Sequence, residues 1–161
     1  MAVVTGANRG IGFEVCDQLA RAGVRVVLTS RDAVKGQAAC KTLSDAGLPV
    51  VFHPLDVTSA PSVDALAAYV AQTFGGADIL VNNAGVMLDP RGTRFLDSRV
   101  DTYRATLETN VLGPLRVTQA AISATANRSR GNRTRPACGL LERGHAPALR
   151  VTIDRNRLNW L

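Results

Sequence analysis

The chain has 161 residues, of which 46% are apolar and 20% charged, an average composition for a single globular domain. Its three cysteines form no Cys-x-x-Cys pair and it has no run of 18 apolar residues, which argues against a disulfide framework, a zinc site and a membrane-spanning helix. The net charge of +6 arises from residues 127–161, which contain 8 arginines, no lysine and 2 acidic residues. We therefore expect a cytoplasmic protein with reduced thiols, no metal and no membrane contact.

Short apolar runs alternate with helical patterns, which is typical of βαβ units and a parallel sheet. In the first helix, Ile11, Val15 and Leu19 lie four residues apart and share one face. Asp32 is the predicted N-cap of the second helix. The pattern predicts, in chain order, β1 over 2–4, α1 over 11–23, β2 over 24–30, α2 over 32–47, β3 over 49–57, α3 over 63–74 and β4 with its exit turn over 78–85.

A long helix is predicted over residues 100–125, with a kink at Gly113-Pro114 because proline cannot donate a helical hydrogen bond. Beyond Asn127 the periodicity is lost, apart from a hint of a strand over 149–153. We therefore divide the chain into an α/β domain over 1–126 and a tail over 127–161 that is expected to be disordered.

The glycines of "VVTGANRGIG" lie where β1 ends and α1 begins. Gly6 permits a sharp turn, Gly10 lets the backbone approach a ligand, and Gly12 permits close helix packing. The free N–H groups at the start of the helix favour an anion such as a phosphate. A glycine turn with only a structural role remains the alternative for this stretch in isolation.

Three further motifs follow the predicted strands in order: Asp56 in "LDVT", Asn82 to Gly85 as "NNAG", and Asn110 in "ETNVLGPL". Over about residues 1–122 the chain resembles the short-chain dehydrogenase/reductase family, and within it the carbonyl-reductase branch. The resemblance implies a Rossmann-like, doubly wound parallel sheet. It also implies an NADP(H)-dependent reductase with a small carbonyl or alcohol substrate.

The resemblance assigns roles to individual residues. Asp56 would bind the adenine amino group and Asn110 would be a catalytic residue that holds a water relay. Asn82 would tie β4 to neighbouring strands. The cofactor-binding residues implied are Gly6, Asn8, Arg9, Gly10 and Ile11 around the pyrophosphate and adenosine, Val57 beside the adenine, and Asn83, Ala84 and Gly85 along the adenosine ribose.

The end of β2 favours NADP(H) over NAD(H). An NAD site places a carboxylate there for the ribose 2′-hydroxyl, whereas β2 ends in Thr29, Ser30 and Arg31. Arg31 could meet a 2′-phosphate bidentately, with Arg9 assisting. Solvated surface arginines are the alternative for both.

The family's proton donor is a tyrosine followed four residues later by a lysine, which lowers the phenol pKa. The residues four after Tyr69 and Tyr103 are Thr73 and Leu107, so this motif is absent. We expect the chain to lack the catalytic half, to have negligible turnover and to leave β4 as an apolar sheet edge. A non-catalytic dinucleotide-binding module and a truncated fragment without function are the alternatives.

The arginine-rich tail departs abruptly from the family pattern. One interpretation is a basic arm for nucleic acid or a membrane surface, but no aromatic residues are interleaved with the arginines. A frame-shifted or mis-spliced end fits the composition better, because GC-rich codons read out of frame yield arginine, alanine, glycine and proline. No nucleic-acid partner is therefore expected, and the oligomeric state is left open.

Overall fold

The computed structural model describes residues 1–89, 92–131 and 150–151, which form a parallel five-stranded sheet in the order β3-β2-β1-β4-β5 with helices on both faces. The predicted Rossmann-like α/β class is confirmed. The elements are β1 Ala2–Val4, α1 Gly10–Arg21, β2 Val26–Ser30, α2 Ala33–Asp45, β3 Val50–Pro54, α3 Ala60–Phe74, β4 Ile79–Val81, a 3-10 turn Phe95–Asp97, α4 Val100–Leu107, a π-helical segment Glu108–Leu112, α5 Gly113–Gly131 and β5 Arg150–Val151.

The central strand β1 is buried on both faces. Its Val3 pairs with Val27 of β2 on one side and with Leu80 of β4 on the other. Side chains that alternate along β1 and β2 supply two separate apolar clusters, one beneath α1 and α2 and one beneath α3 and α5. Burial on both faces explains why these strands are continuous apolar runs in the sequence.

The helix ends follow local sequence signals. The carboxylate of Asp32 caps α2 by accepting a hydrogen bond from the Lys35 N–H at 3.0 Å, as predicted. Ser59 caps α3, which ends at Gly75 in the left-handed conformation with φ of 72°. The two N-caps fix where the loops after β2 and β3, at the sheet's carboxyl edge, end.

The long helix predicted over 100–125 is divided in the structure. The irregularity is the π segment Glu108–Leu112, in which the Gly113 N–H donates to the Glu108 carbonyl. It lies directly before Pro114 rather than at it. Proline lacks the N–H that would bond to the fourth residue before it and its ring crowds that carbonyl, so the helix widens in the preceding turn.

The expectation that β4 forms an apolar edge is wrong. Ile79 and Leu80 pair in parallel with Arg150 and Val151 of β5, so the backbone of β4 is covered there. The hint of a strand over 149–153 is confirmed for these two residues. Helix α5 continues to Gly131, so the boundary predicted at 126 falls inside a helix. The expected disorder of 132–149 and 152–161 concerns residues outside those that the structure describes.

Across the described ranges, none of the helices combines the length and apolarity needed to cross a bilayer.

Candidate functional site

A cleft of about 520 Å³ opens at the carboxyl ends of the strands. The chain leaves β1 toward β2 on one side and reaches β4 on the other, which is the topological switch point where such sheets bind ligands. Ten of the eleven residues predicted to bind a cofactor line this cleft. The exception is Ile11, whose side chain is 64% exposed on α1. The lining residues are Gly6, Asn8, Arg9, Gly10, Ser30, Arg31, Asp32, Lys35, Leu55, Asp56, Val57, Asn83, Ala84, Gly85, Val86 and Thr109.

The buried hydroxyl of Thr5 joins the two loops that form the floor of the cleft. It accepts hydrogen bonds from the backbone N–H groups of Asn83 at 3.0 Å and Ala84 at 2.9 Å. In addition, the side-chain Nδ2 of Asn83 donates to the backbone carbonyls of Thr5 at 2.9 Å and Gly6 at 3.1 Å. The glycine turn and the NNAG turn are therefore held as one unit.

Two glycines make this joint possible. Gly6 has φ of 64°, and a Cβ there would lie 2.8 Å from the Ala84 Cα. A Cβ on Gly12 would lie 2.4 Å from the Asn83 Nδ2. Gly10, with φ of 58°, has no neighbour within 4 Å of its Cβ position, so its backbone is open to a ligand. Gly6 thus forms the predicted turn and Gly12 lies in close packing, while the approach of a ligand to Gly10 stays a prediction.

Helices α1 and α2 differ at their N-termini, which both border the cleft. The start of α2 is capped by Asp32. The N-cap residue of α1 is Arg9, whose side chain forms no capping hydrogen bond. The first-turn N–H groups of α1 therefore remain for water or an anion, and the helix dipole favours the anion.

Three cationic side chains line the cleft: Arg9, Arg31 and Lys35. Lys35 was missed by the sequence analysis, although it lies in the first turn of α2, four residues after Arg31. Its ammonium lies 2.9 Å from the Asp32 carboxylate. The Lys35 N–H and then its side chain lower the pKa of Asp32. The pair is exposed, so a stronger anion can compete with Asp32 for the ammonium.

Asp56 lies in the loop after β3 with its carboxylate held in a tight turn. Its Oδ1 accepts from the Thr58 hydroxyl at 2.7 Å and from the Thr58 N–H at 2.9 Å. These bonds, chiefly that from the hydroxyl, and to a lesser extent the charge of Arg31 lower the pKa of Asp56. Oδ2 has no hydrogen-bond partner among the described residues, so a charged acceptor is available in the cleft.

Among the described residues, Asn82 joins β4 to a helix. Its Nδ2 donates to the Thr118 hydroxyl of α5 at 3.1 Å, and the tie to neighbouring strands that the resemblance implies stays a prediction. Its Oδ1 is buried without a hydrogen-bond partner within the described part of the chain. A link between neighbouring strand ends comes from Asn83, whose side chain reaches back to β1.

Asn110 lies in the π segment, and its side chain forms two hydrogen bonds with the loop after β4. Its Oδ1 accepts from the Val86 N–H at 2.8 Å, and its Nδ2 donates to the Val86 carbonyl at 2.7 Å. This side chain therefore braces one wall of the cleft. The catalytic water relay that the resemblance assigns to Asn110 stays a prediction.

Tyr69, Tyr103, Cys16 and Cys40 lie away from the cleft lining. Tyr69 packs against His53 at 4.9 Å and Phe74 at 5.9 Å between ring centroids, and Tyr103 is partly exposed on α4. Burial, and secondarily Cys40, raises the pKa of Cys16 to about 12, so its thiol stays protonated. Among the ranges described, no three His, Cys, Asp or Glu side chains are grouped to hold a metal.

The model of the short chain dehydrogenase family matches residues 1–132. The chain belongs to this family. The match continues past the limit of about 122 inferred from the motifs and ends close to the last residue of α5.

The relatives of this short-chain dehydrogenase chain include plant enzymes. It is 44% identical over 142 residues to (+)-neomenthol dehydrogenase of Arabidopsis thaliana, a match that covers 75% of this chain and 47% of the relative. It is 53% identical over 87 residues to salutaridine reductase of Papaver somniferum, covering 53% of this chain and 28% of the relative. The chain thus spans less than half the length of these curated relatives.

Solved structures of the same family superpose on the chain. An actinorhodin polyketide ketoreductase crystallised with NADPH matches with a TM-score of 0.72 and 35% identity, over 81% of this chain and 49% of that chain. A metagenomic short-chain oxidoreductase in complex with NADP matches with a TM-score of 0.70 and 34% identity, over 78% and 56%.

Replacing Thr5 by valine tests the joint between the two turns. Thr5→Val keeps the shape of the side chain but leaves the Asn83 and Ala84 N–H groups without their acceptor. We expect the free energy of unfolding to fall by about 1–3 kcal/mol, measured by urea denaturation. Thr5→Ser keeps the hydroxyl and is the matched control. Equal stability of Thr5→Val and Thr5→Ser would show that the hydroxyl does not support the joint.

Proposed function

We propose that this chain is the NADP(H)-binding part of a short-chain reductase of the carbonyl-reductase type, acting on a small carbonyl or alcohol compound. The observation that carries the proposal is a single cleft in which a glycine cradle, an uncapped helix N-terminus and three cationic side chains meet. Each part suits a phosphate of a dinucleotide. Solved relatives crystallised with NADPH or NADP support the same ligand.

The arrangement fits the adenosine half of the cofactor. Asp56 offers a charged acceptor for the adenine amino group, beside Val57 and Leu55 as an apolar platform. Arg31 and Lys35 suit a 2′-phosphate, which would displace the ammonium of Lys35 from the weaker carboxylate of Asp32. The pyrophosphate would be held over Gly10 at the start of α1, and Asn83 to Gly85 would follow the ribose.

A nicotinamide cofactor, when bound, supplies hydride transfer. The residues of this chain bind and orient the cofactor, while reduction of a carbonyl also requires a proton donor close to the reacting oxygen. No tyrosine of the chain is followed four residues later by lysine, and neither tyrosine lines the cleft. We therefore propose that the chain alone binds the cofactor without completing the reaction.

A non-catalytic dinucleotide-binding module is the second candidate, and the absence of the tyrosine and lysine motif favours it. It shares the cofactor site with the first candidate and differs in having no turnover in any assembly. Turnover by a complete reductase that contains this sequence would favour the first candidate over the second.

Cofactor choice is tested by removing, one at a time, the cation after β2 and the cation in the first turn of α2. We expect Arg31→Ala and Lys35→Ala each to weaken NADP⁺ binding roughly tenfold, because each loses a charge-assisted contact to the 2′-phosphate. NAD⁺ binding should not change. Titration calorimetry measures both ligands. Arg21→Ala on α1, which removes an exposed guanidinium paired with Asp17, is the control. Parallel losses for NADP⁺ and NAD⁺ would place these residues away from the 2′-phosphate.

The role of Asp56 is tested by changing the base of the cofactor. The hypoxanthine analogue of NADP⁺ has a carbonyl in place of the amino group, which would face the Asp56 carboxylate. We expect it to bind roughly tenfold more weakly than NADP⁺. In Asp56→Asn the preference should disappear, since an amide can donate as well as accept. A preference that survives this substitution would assign adenine recognition to other groups.

Turnover is tested with the chain as it stands. We expect no oxidation of NADPH above the no-enzyme rate with a panel of aldehydes and ketones, under conditions in which NADPH raises the melting temperature. Oxidation that depends on both protein and carbonyl would overturn this proposal and require a proton donor outside the tyrosine and lysine motif.

A further inference from the structure

An ion pair brackets the π segment Glu108–Leu112. The Arg116 Nη2 on α5 lies 2.5 Å from the Glu108 Oε1, and the two side chains are 32% and 36% exposed. The pair is thus less exposed than the neighbouring pair Asp101–Arg104, whose side chains are 74% and 77% exposed. It connects the first residue of the π segment to α5 across the widened turn.

The π segment and the start of α5 together touch two walls of the cofactor cleft. On the β4 side, Thr109 lines the cleft and Asn110 holds both backbone groups of Val86. On the β3 side, a Cβ on Gly113 would lie 2.7 Å from the Val57 Cγ2, so the start of α5 packs directly against the loop after β3. The π segment and the first residue of α5 therefore contact the loop after β4 and the loop after β3, respectively.

The π segment depends on contacts outside its own backbone because its helical hydrogen bonding is weakened. Pro114 cannot donate a helical hydrogen bond, and π turns are rare and less stable than α-helical turns. The Arg116 Nη1 is buried with no hydrogen-bond partner in the part of the chain that the structure describes. The Glu108 carboxylate is thus the group that compensates this guanidinium, and its loss would leave a partly buried charge unpaired.

We propose that Glu108 and Arg116 are positioning residues, which fix the π segment and through Asn110 hold Val86 at the β4 end of the cleft. This inference rests on the proposed binding of NADP(H). The adenosine end of the cleft is defined by Arg31 and Asp56 at the ends of β2 and β3. Asn83 to Gly85, which are proposed to follow the adenosine ribose, precede Val86 in the loop after β4. We therefore place the effect of the ion pair on the part of the dinucleotide that lies beyond this ribose, toward the nicotinamide.

The test compares a complete cofactor with its adenosine fragment. Glu108→Arg places two like charges together. NADP⁺ binding should weaken roughly fivefold, which is the change in affinity that corresponds to the free energy of a partly exposed ion pair. Binding of adenosine 2′,5′-bisphosphate, which lacks the nicotinamide half, should not change. Adding Arg116→Glu restores the pair with its charges exchanged and should restore NADP⁺ binding. Asp101→Arg, a charge reversal in the exposed pair on α4, is the control and should leave both affinities unchanged.

A second measurement does not depend on any ligand. The Val86 N–H donates to Asn110, so its hydrogen exchange reports whether the π segment still holds the loop. We expect faster exchange at Val86 in Glu108→Arg, recovery in the double variant and no change at Val27 in the centre of β2. Unchanged exchange at Val86, or no recovery in the double variant, would overturn the positioning role.

The two measurements separate the failure of this inference from that of the proposed function. If the unaltered chain binds neither ligand, the proposed function fails, and exchange at Val86 alone decides whether the ion pair positions the loop. If Glu108→Arg weakens both ligands equally, the pair supports the fold in general and the inference about the nicotinamide half is wrong.

Discussion

The hydroxyl of Thr5 is the constraint on which the cofactor cleft depends. It accepts two backbone hydrogen bonds from the NNAG turn, while Asn83 returns two bonds to the glycine turn. Two loops that are distant in the sequence thereby become one surface. Because Thr5 is buried, water cannot replace these bonds, and the backbone of both turns is presented to a ligand in a fixed arrangement.

The parts of this arrangement that sequence predicted are those with short-range causes. Gly6 and Gly12 follow from backbone geometry, and the cap by Asp32 follows from its position before a helix. Three parts were missed or assigned otherwise, and each depends on tertiary packing. The π segment lies where the chain before Pro114 packs against the loops after β3 and β4. Lys35 reaches the cleft only once α2 is placed, and Asn82 meets Thr118 only once α5 lies beside the end of β4.

The cleft also separates binding from chemistry. One end is rich in charge and in exposed backbone donors, and it is assembled from the loops after β1, β2 and β3 and the start of α2. Its other end is defined by Val86 and Thr109, which offer a backbone and a hydroxyl but no strong acid or base. Affinity for a dinucleotide can thus be encoded in the first half of such a fold, independently of the groups that act on a substrate.

The register of the sheet has a consequence for how the chain folds. Strand β1 pairs Ala2 with Val26 of β2 and also with Ile79 of β4, so the central strand is completed only by residues far along the chain. Bringing β4 to β1 requires the chain between them to close a long loop, which lowers its entropy before stabilising contacts form. Such pairings are therefore slow. During synthesis, β1, β2 and β3 can associate early, but the second edge of β1 is paired only after β4 has left the ribosome.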